Sequence, residues 1–278
     1  MQRVAILGVG LMGGSLGIAL KNVYKNKERE YFVLGIGRKI ENLKIAKKKG
    51  AVDEFSTNIE DIKNSDIVVI CYPVDMIVDT YKQVAKIVSK KTIVTDVGSI
   101  KFDIEKSINT LIKKNRDFPE FVGCHPMAGT ENNGIQYAKK SLYNDTYVII
   151  TGKKNNLISK MWKDVGCILV FISAKQHDEI VAFTSHLPHI IAFNFFRMFK
   201  QKNIKNKQFQ NIIGGSFNSI TRVAKSSSQM WLPIFLGNKN NLRKLTKEFC
   251  AQIEKFNRTL NNEKNLKKLL DKSINNEN

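Results

Sequence analysis

His125 stands in the run Gly123-Cys124-His125-Pro126-Met127-Ala128-Gly129-Thr130-Glu131, in a chain with only four histidines. An imidazole at the tip of a strand-like apolar stretch, flanked by Pro and Gly, is placed to take or polarise a hydroxyl proton near neutral pH. Two of the other histidines sit close together in Ser185-His186-Leu187-Pro188-His189. That pair also fits a helix kinked by Pro188, with one ring capping local backbone. Thr221-Arg222-Val223-Ala224-Lys225 adds cations farther along.

A second kind of chemistry is written at the start: Val4-Ala5-Ile6-Leu7-Gly8-Val9-Gly10-Leu11-Met12-Gly13. Residues 4–7 read as a buried strand. Gly8 allows a tight turn, Gly10 lets the backbone approach a pyrophosphate, and Gly13 lets the next helix pack closely. That helix, over 15–21, would aim free N–H groups at phosphates. The strand–glycine–helix context makes Gly8, Gly10, Leu11, Met12 and Gly13 the candidate lining of a dinucleotide site. Asp96-Val97-Gly98-Ser99-Ile100-Lys101 follows a later strand, on the edge where strand C-termini would face a nicotinamide. Ser99 and Lys101 there could also simply cap the next helix.

The second strand of such a fold usually ends in an acid that holds the ribose 2′-hydroxyl of NAD. Here it ends Gly35-Ile36-Gly37-Arg38-Lys39. Arg38 can fork onto a 2′-phosphate, which favours NADP, with NAD as the alternative. The plainer reading makes Arg38 and Lys39 two more surface cations.

The elements that must position these residues alternate through the first two-thirds. Strands are expected over 4–7, 32–36, 67–72, 92–95, 121–124, 147–151 and 168–172, with helices between, as over 40–49, 76–88 and 100–114. Continuous apolar strands with intervening helices mean a mostly parallel sheet covered on both faces. From Ala174 only helical periodicity remains, over 178–201, 209–224, 230–237 and 240–271. The expected fold class is α/β: a Rossmann-like dinucleotide domain over 1–173, then an all-helical substrate and dimerisation domain over 174–278.

The 278 residues suffice for two domains, and hydrophobic content is 42%. No run is long enough to span a membrane and no leader precedes the first strand, so the expected location is the cytoplasm. Cys71, Cys124, Cys167 and Cys250 are scattered, without metal-ligand spacing, so no metal site is expected. The first three lie in apolar strand-like runs and read as reduced core residues. Lys+Arg 45 against Asp+Glu 25 gives +20. The cations are spread along the chain, often beside Asn, with no zinc-finger or RNP-type motif; this argues against nucleic-acid binding as the main function. The field still favours anionic ligands.

Taken together the motifs resemble prephenate dehydrogenases, the tyrosine-pathway oxidoreductases, of the type without a fused mutase. The resemblance covers nearly the whole chain. It rests on residues 8–13, 96–101, 123–134, 185–189, Gly214-Gly215, 221–226 and Met230-Trp231. It implies hydride transfer from C4 of prephenate to a nicotinamide, with loss of carbon dioxide and aromatisation to 4-hydroxyphenylpyruvate. It further implies that His125 draws off the 4-hydroxyl proton while Ser99 orients that hydroxyl or the imidazole. Arg222 would bind a carboxylate, His189 the pyruvyl side chain, and Trp231 would line the pocket or the core. Glu131 matches a gating residue at the entrance, linked to inhibition by tyrosine. His186 reads as structural. The family pairs its helical domains as a homodimer. One departure stands out: Ser219 occupies a position three residues before the arginine where an acid is expected, which puts the gating network in doubt. The rivals are an arogenate or broad cyclohexadienyl dehydrogenase, a β-hydroxyacid dehydrogenase using Lys225, and a dinucleotide sensor without catalysis.

Overall fold

The computed structural model describes residues 1–129, 132–202 and 213–274. The chain opens with β1 (Gln2–Leu7) and α1 (Leu11–Leu20), then a small hairpin, β2 (Tyr24–Lys25) and β3 (Glu28–Arg29), which the apolar pattern does not reveal. β4 (Tyr31–Ile36), α2 (Ile40–Lys48), β5 (Glu54–Ser56), β6 (Ile67–Ile70), α3 (Ile77–Ile87), β7 (Ile93–Asp96), α4 (Phe102–Lys114) and β8 (Glu120–Val122) follow. Their strands form one six-stranded sheet in the order β5-β4-β1-β6-β7-β8, every pair parallel. Successive side chains on a strand point to opposite faces. Val4, Ile6, Ile67 and Val69 accordingly enter one core, while Ala5, Leu7, Val68 and Ile70 enter the other. Both faces are covered, which is why these strands read as unbroken apolar runs.

The expected strand over 121–124 is two strands in two sheets. β8 ends at Val122, and β9 (Cys124–Pro126) turns away to pair antiparallel with β10 (Tyr147–Ile150). Gly123 makes the break: a Cβ there would run into the Glu105 and Thr151 side chains. β10 also pairs in parallel with β11 (Ile168–Phe171), with α5 (Asn156–Asp164) between them. His125 therefore lies inside the second sheet, opposite Ile149, and not at the tip of a strand of the first. The connection between β9 and β10 is fastened to α1: the Tyr143 hydroxyl donates to Met12 O at 2.8 Å, and Lys139 N–H donates to Ser15 Oγ at 3.0 Å.

Beyond β11 the described residues are helical. α6 (Ala174–Val181) starts with a capping box between Ser173 and Gln176. The expected helix over 178–201 is interrupted by a π-helical turn, Ala182–His186, before α7 (Leu187–Gln201). Pro188 has no N–H to close the ladder, so it sits in the first turn of α7 and the backbone before it widens. α8 (Gly215–Val223), α9 (Ser228–Gly237), α10 (Lys239–Thr259) and α11 (Glu263–Ile274) complete the fold. The run expected as one helix over 240–271 is thus two, and residues 209–212 of the expected helix over 209–224 lie outside the described residues. Trp231 and Ile234 of α9 share one core with Val74, Ile77 and Ile100, so the helical half is seated against the C-terminal edge of the parallel sheet.

Candidate active site

The cradle at that edge is made by backbone. Gly8 holds φ +96, and a side chain there would strike Cys71 O and the Tyr72 ring; at Gly13 it would strike Gly8 O and Ile6. Those two glycines bring α1 and β1 together. At Gly10, by contrast, an added Cβ would meet nothing within 4 Å, and Gly10 caps α1 without any side-chain bond to its N–H groups. Open space over an uncapped helix N-terminus fits a pyrophosphate. Arg38 follows β4, is exposed, acts electrostatically on Tyr72, and makes no ion pair among the described residues.

Beside the cradle, Asp96 at the end of β7 and Lys101 form an ion pair at 2.6 Å with neither side chain exposed. Asp96 also accepts Gly98 N–H at 2.8 Å and Cys124 N–H at 3.1 Å. Lys101 Nζ donates to Gly98 O at 2.6 Å and Ile100 O at 3.0 Å. The pair thereby fixes the residues immediately before Ser99 and His125. Lys101 does not cap α4 with its side chain. That end is held from 76 and 77 positions away: Asp178 accepts Phe102 N–H at 2.9 Å and Lys101 N–H at 2.8 Å.

Asp178 leads to His125. His177 is fully buried, with Nδ1 2.7 Å from Asp178 Oδ1 and Nε2 2.8 Å from His125 Nδ1. His125 itself is half-buried, and its Nε2 has no hydrogen-bond partner among the described residues. Burial, with His177, Lys101 and His186 close by, holds the His125 imidazole well below the usual histidine range. It is neutral at pH 7 and able to accept a proton.

The helical half adds a second group of rings. His189 stacks on Trp231 with centroids 3.8 Å apart, and its Nδ1–H donates to Ser185 O at 2.9 Å. Burial lowers its pKa, partly offset by that bond. His186 packs edge-on against Trp231 and is 3.2 Å from Asn238 Nδ2, which also donates to Asp178 O at 2.8 Å. Burial pushes the His186 imidazole down to about 4. Asn238 thus ties the His186–Trp231–His189 group to the helix that carries His177 and Asp178.

The structure therefore joins His125 and the Ser99 loop through Asp96, while Asn238 joins Asp178 to His186, which packs on Trp231 and so adjoins the stacked His189. Arg222 sits exposed on α8 without an ion pair among the described residues. Its helix packs on α7 through Phe217 against Phe195 and Phe199, and no contact joins Arg222 to His125. Glu131 lies outside the described residues. Sequence reasoning passed over His177, Asp178 and Asn238. The adjacent His-Asp pair at the start of a helix was the available signal, but their partners lie 52 to 77 positions away.

The chain as a whole resembles known proteins over both of its halves. Residues 20–171 match the family model "Prephenate dehydrogenase, nucleotide-binding domain", and residues 173–272 match "Prephenate dehydrogenase, dimerization domain". A cyclohexadienyl dehydrogenase of Zymomonas mobilis is 30% identical over 92% of this chain and 87% of its own. A prephenate dehydrogenase of Lactococcus lactis is 28% identical over 92% of this chain and 72% of its own. The crystal structure of the Aquifex aeolicus prephenate dehydrogenase, solved with hydroxyphenyl propionate and NAD+, superposes with a TM-score of 0.88 at 31% identity, covering 98% of this chain and 96% of that one. With family matches to both its parallel-sheet part and its helical part, the chain belongs to the prephenate dehydrogenase family.

Proposed function

We propose that His125 is the general base of the reaction this chain carries out, the oxidative decarboxylation of prephenate to 4-hydroxyphenylpyruvate. The observation that carries the assignment is a neutral imidazole with Nδ1 engaged by His177 and Nε2 left for a substrate. His125 Nε2 accepts a hydrogen bond from the 4-hydroxyl and draws its proton as the C4 hydride departs. As the ring carboxylate leaves as carbon dioxide, its electron pair restores the aromatic ring and the oxygen takes the proton back. A bound nicotinamide dinucleotide supplies the hydride acceptor, held by Gly8, Gly10, Leu11, Met12 and Gly13. Ser99 orients the hydroxyl or the imidazole.

Arg222 binds a substrate carboxylate, His189 the pyruvyl side chain, and Trp231 forms the wall on which His189 is stacked. Glu131 is assigned to the entrance on the resemblance alone. Residues 1–173 bind the dinucleotide. Residues 174–278 bind substrate and pair two copies in a homodimer, an assignment supported by the exposed apolar side chains Leu232, Leu236 and Ile253. The proposed location is the cytoplasm. Among the described residues no helix is long and apolar enough to cross a membrane.

NADP is the proposed cofactor, supported by the exposed Arg38 and the absence of an acid at the end of β4. One observation favours a second substrate as well. Neutral His189 spends its only N–H on Ser185 O, so its Nε2 is an acceptor that suits the ammonium group of arogenate. Protonated His189 suits the keto acid instead. Steady-state rates with prephenate and arogenate, each with NAD and NADP, test both assignments; turnover of neither substrate would overturn the function.

A further inference from the structure

We propose that His177 and Asp178 are positioning residues that fix the tautomer of His125 and share the charge it acquires. The inference rests on His125 being the base, and its test separates the two ideas.

Asp178 receives two backbone N–H groups at the start of α4, donors that cannot reverse. Its Oδ1 also faces His177 Nδ1 at 2.7 Å, so that nitrogen donates and the neutral ring keeps its lone pair on Nε2. Nε2 then accepts from His125 Nδ1 at 2.8 Å. The proton of His125 is thereby placed on Nδ1, and Nε2 is left as the lone pair that meets the substrate. A free imidazole has no such bias imposed on it. The two rings meet at 73°, with centroids 5.0 Å apart, so the contact is edge-on and not a stack. The groups that face His125 from the packed elements are His177 on α6, Lys101 before α4, and His186 in the π-helical turn. Lys101 is neutralised by Asp96. A charged His177 would oppose a proton on His125, but the neutral ring that donates to Asp178 accepts from the His125 imidazolium through Nε2, and that bond becomes charge-assisted. The logic parallels the carboxylate that holds the histidine of serine proteases, where loss of that orientation lowers kcat about 10⁴-fold.

Burial alone would give His177 a packing role, so the test must read the tautomer. ¹⁵N NMR of the four histidine side chains, assigned by single substitutions, reads it directly. In the wild type His125 is expected to carry its proton on Nδ1. In His177→Leu that preference is lost and kcat falls about 10²- to 10⁴-fold, with the prephenate KM and dinucleotide affinity within about threefold of wild type. His177→Gln, whose amide oxygen can accept from Nδ1, recovers at least about tenfold of the lost kcat. If His177→Leu does not fold, the wild-type tautomer and the Gln variant still decide. An Nε2-protonated His125 in the wild type, or a folded His177→Leu with near-normal kcat, overturns the relay. Near-normal kcat in His125→Asn would instead overturn the base assignment itself.

Discussion

The Asp96 carboxylate and the Lys101 ammonium sit 2.6 Å apart with no solvent contact, and between them they hold the backbone beside Ser99 and His125. Asp96 reaches Gly98 and Cys124, the neighbours of Ser99 and His125, while Lys101 clamps the carbonyls of Gly98 and Ile100. A buried pair is weak evidence for net stability, because desolvation offsets most of the attraction. Its observed effect is geometric: one carboxylate joins two sheets.

Removing one partner is a different matter, since it strands the other charge. Lys101→Met is expected to lower unfolding free energy by about 3–5 kcal/mol. Chemical denaturation of variant and wild type measures it. A loss below about 1 kcal/mol would mean that the pair is not the clamp described.

The histidines give a pH signature. His186 is held neutral at about 4, against an ordinary value of 6.5, and His125 shifts in the same direction. The unfolded chain therefore binds more protons than the folded one between pH 6.5 and 4. Stability is full above pH 6.5 and falls as pH drops through that window. His186 alone contributes about 3 kcal/mol of this loss. Thermal melts of wild type and His186→Asn between pH 7 and pH 4 check it, and the variant should lose part of the slope.

Much of the first half of the fold was legible. Val4 to Gly13 carries a strand, a turn and a helix start in consecutive residues, and both faces of the sheet demand apolar side chains. The rest depended on contacts that period and spacing do not encode. The run from Phe121 to Cys124 is uniformly apolar, so nothing in it announces that Gly123 hands the chain to a second sheet. His177 carries no signal of its own in the sequence, because its partner His125 lies 52 positions away and its neighbour Asp178 is bonded to the distant start of α4. His125 and Ser99 were legible as isolated residues, but Asp96 as their common anchor was not. Arg222 stands where the sequence put it, on a helix of the second half, without a contact to His125.

Cofactor choice is open to a direct measurement. Arg38 has no ion pair among the described residues, so a 2′-phosphate would not have to displace a protein partner. Arg38→Ala is expected to raise the KM for NADP about 10- to 100-fold, the worth of a charge-assisted contact, with a smaller effect on NAD. Equal effects on both would remove Arg38 from the 2′ position.

His189 is expected to govern the side-chain end of the substrate. His189→Asn should raise the prephenate KM by about tenfold or more while kcat changes less, because the contact is one of binding. The prephenate-to-arogenate ratio should also fall with rising pH, as protonated His189 is lost. A ratio independent of both pH and the substitution would place the side chain elsewhere.

The most direct test of the central claim is the turnover of His125→Asn with prephenate, measured beside its dinucleotide affinity. A base at Nε2 predicts a kcat loss of at least about 10²-fold with dinucleotide binding unchanged. A loss below about tenfold in a folded variant would contradict it.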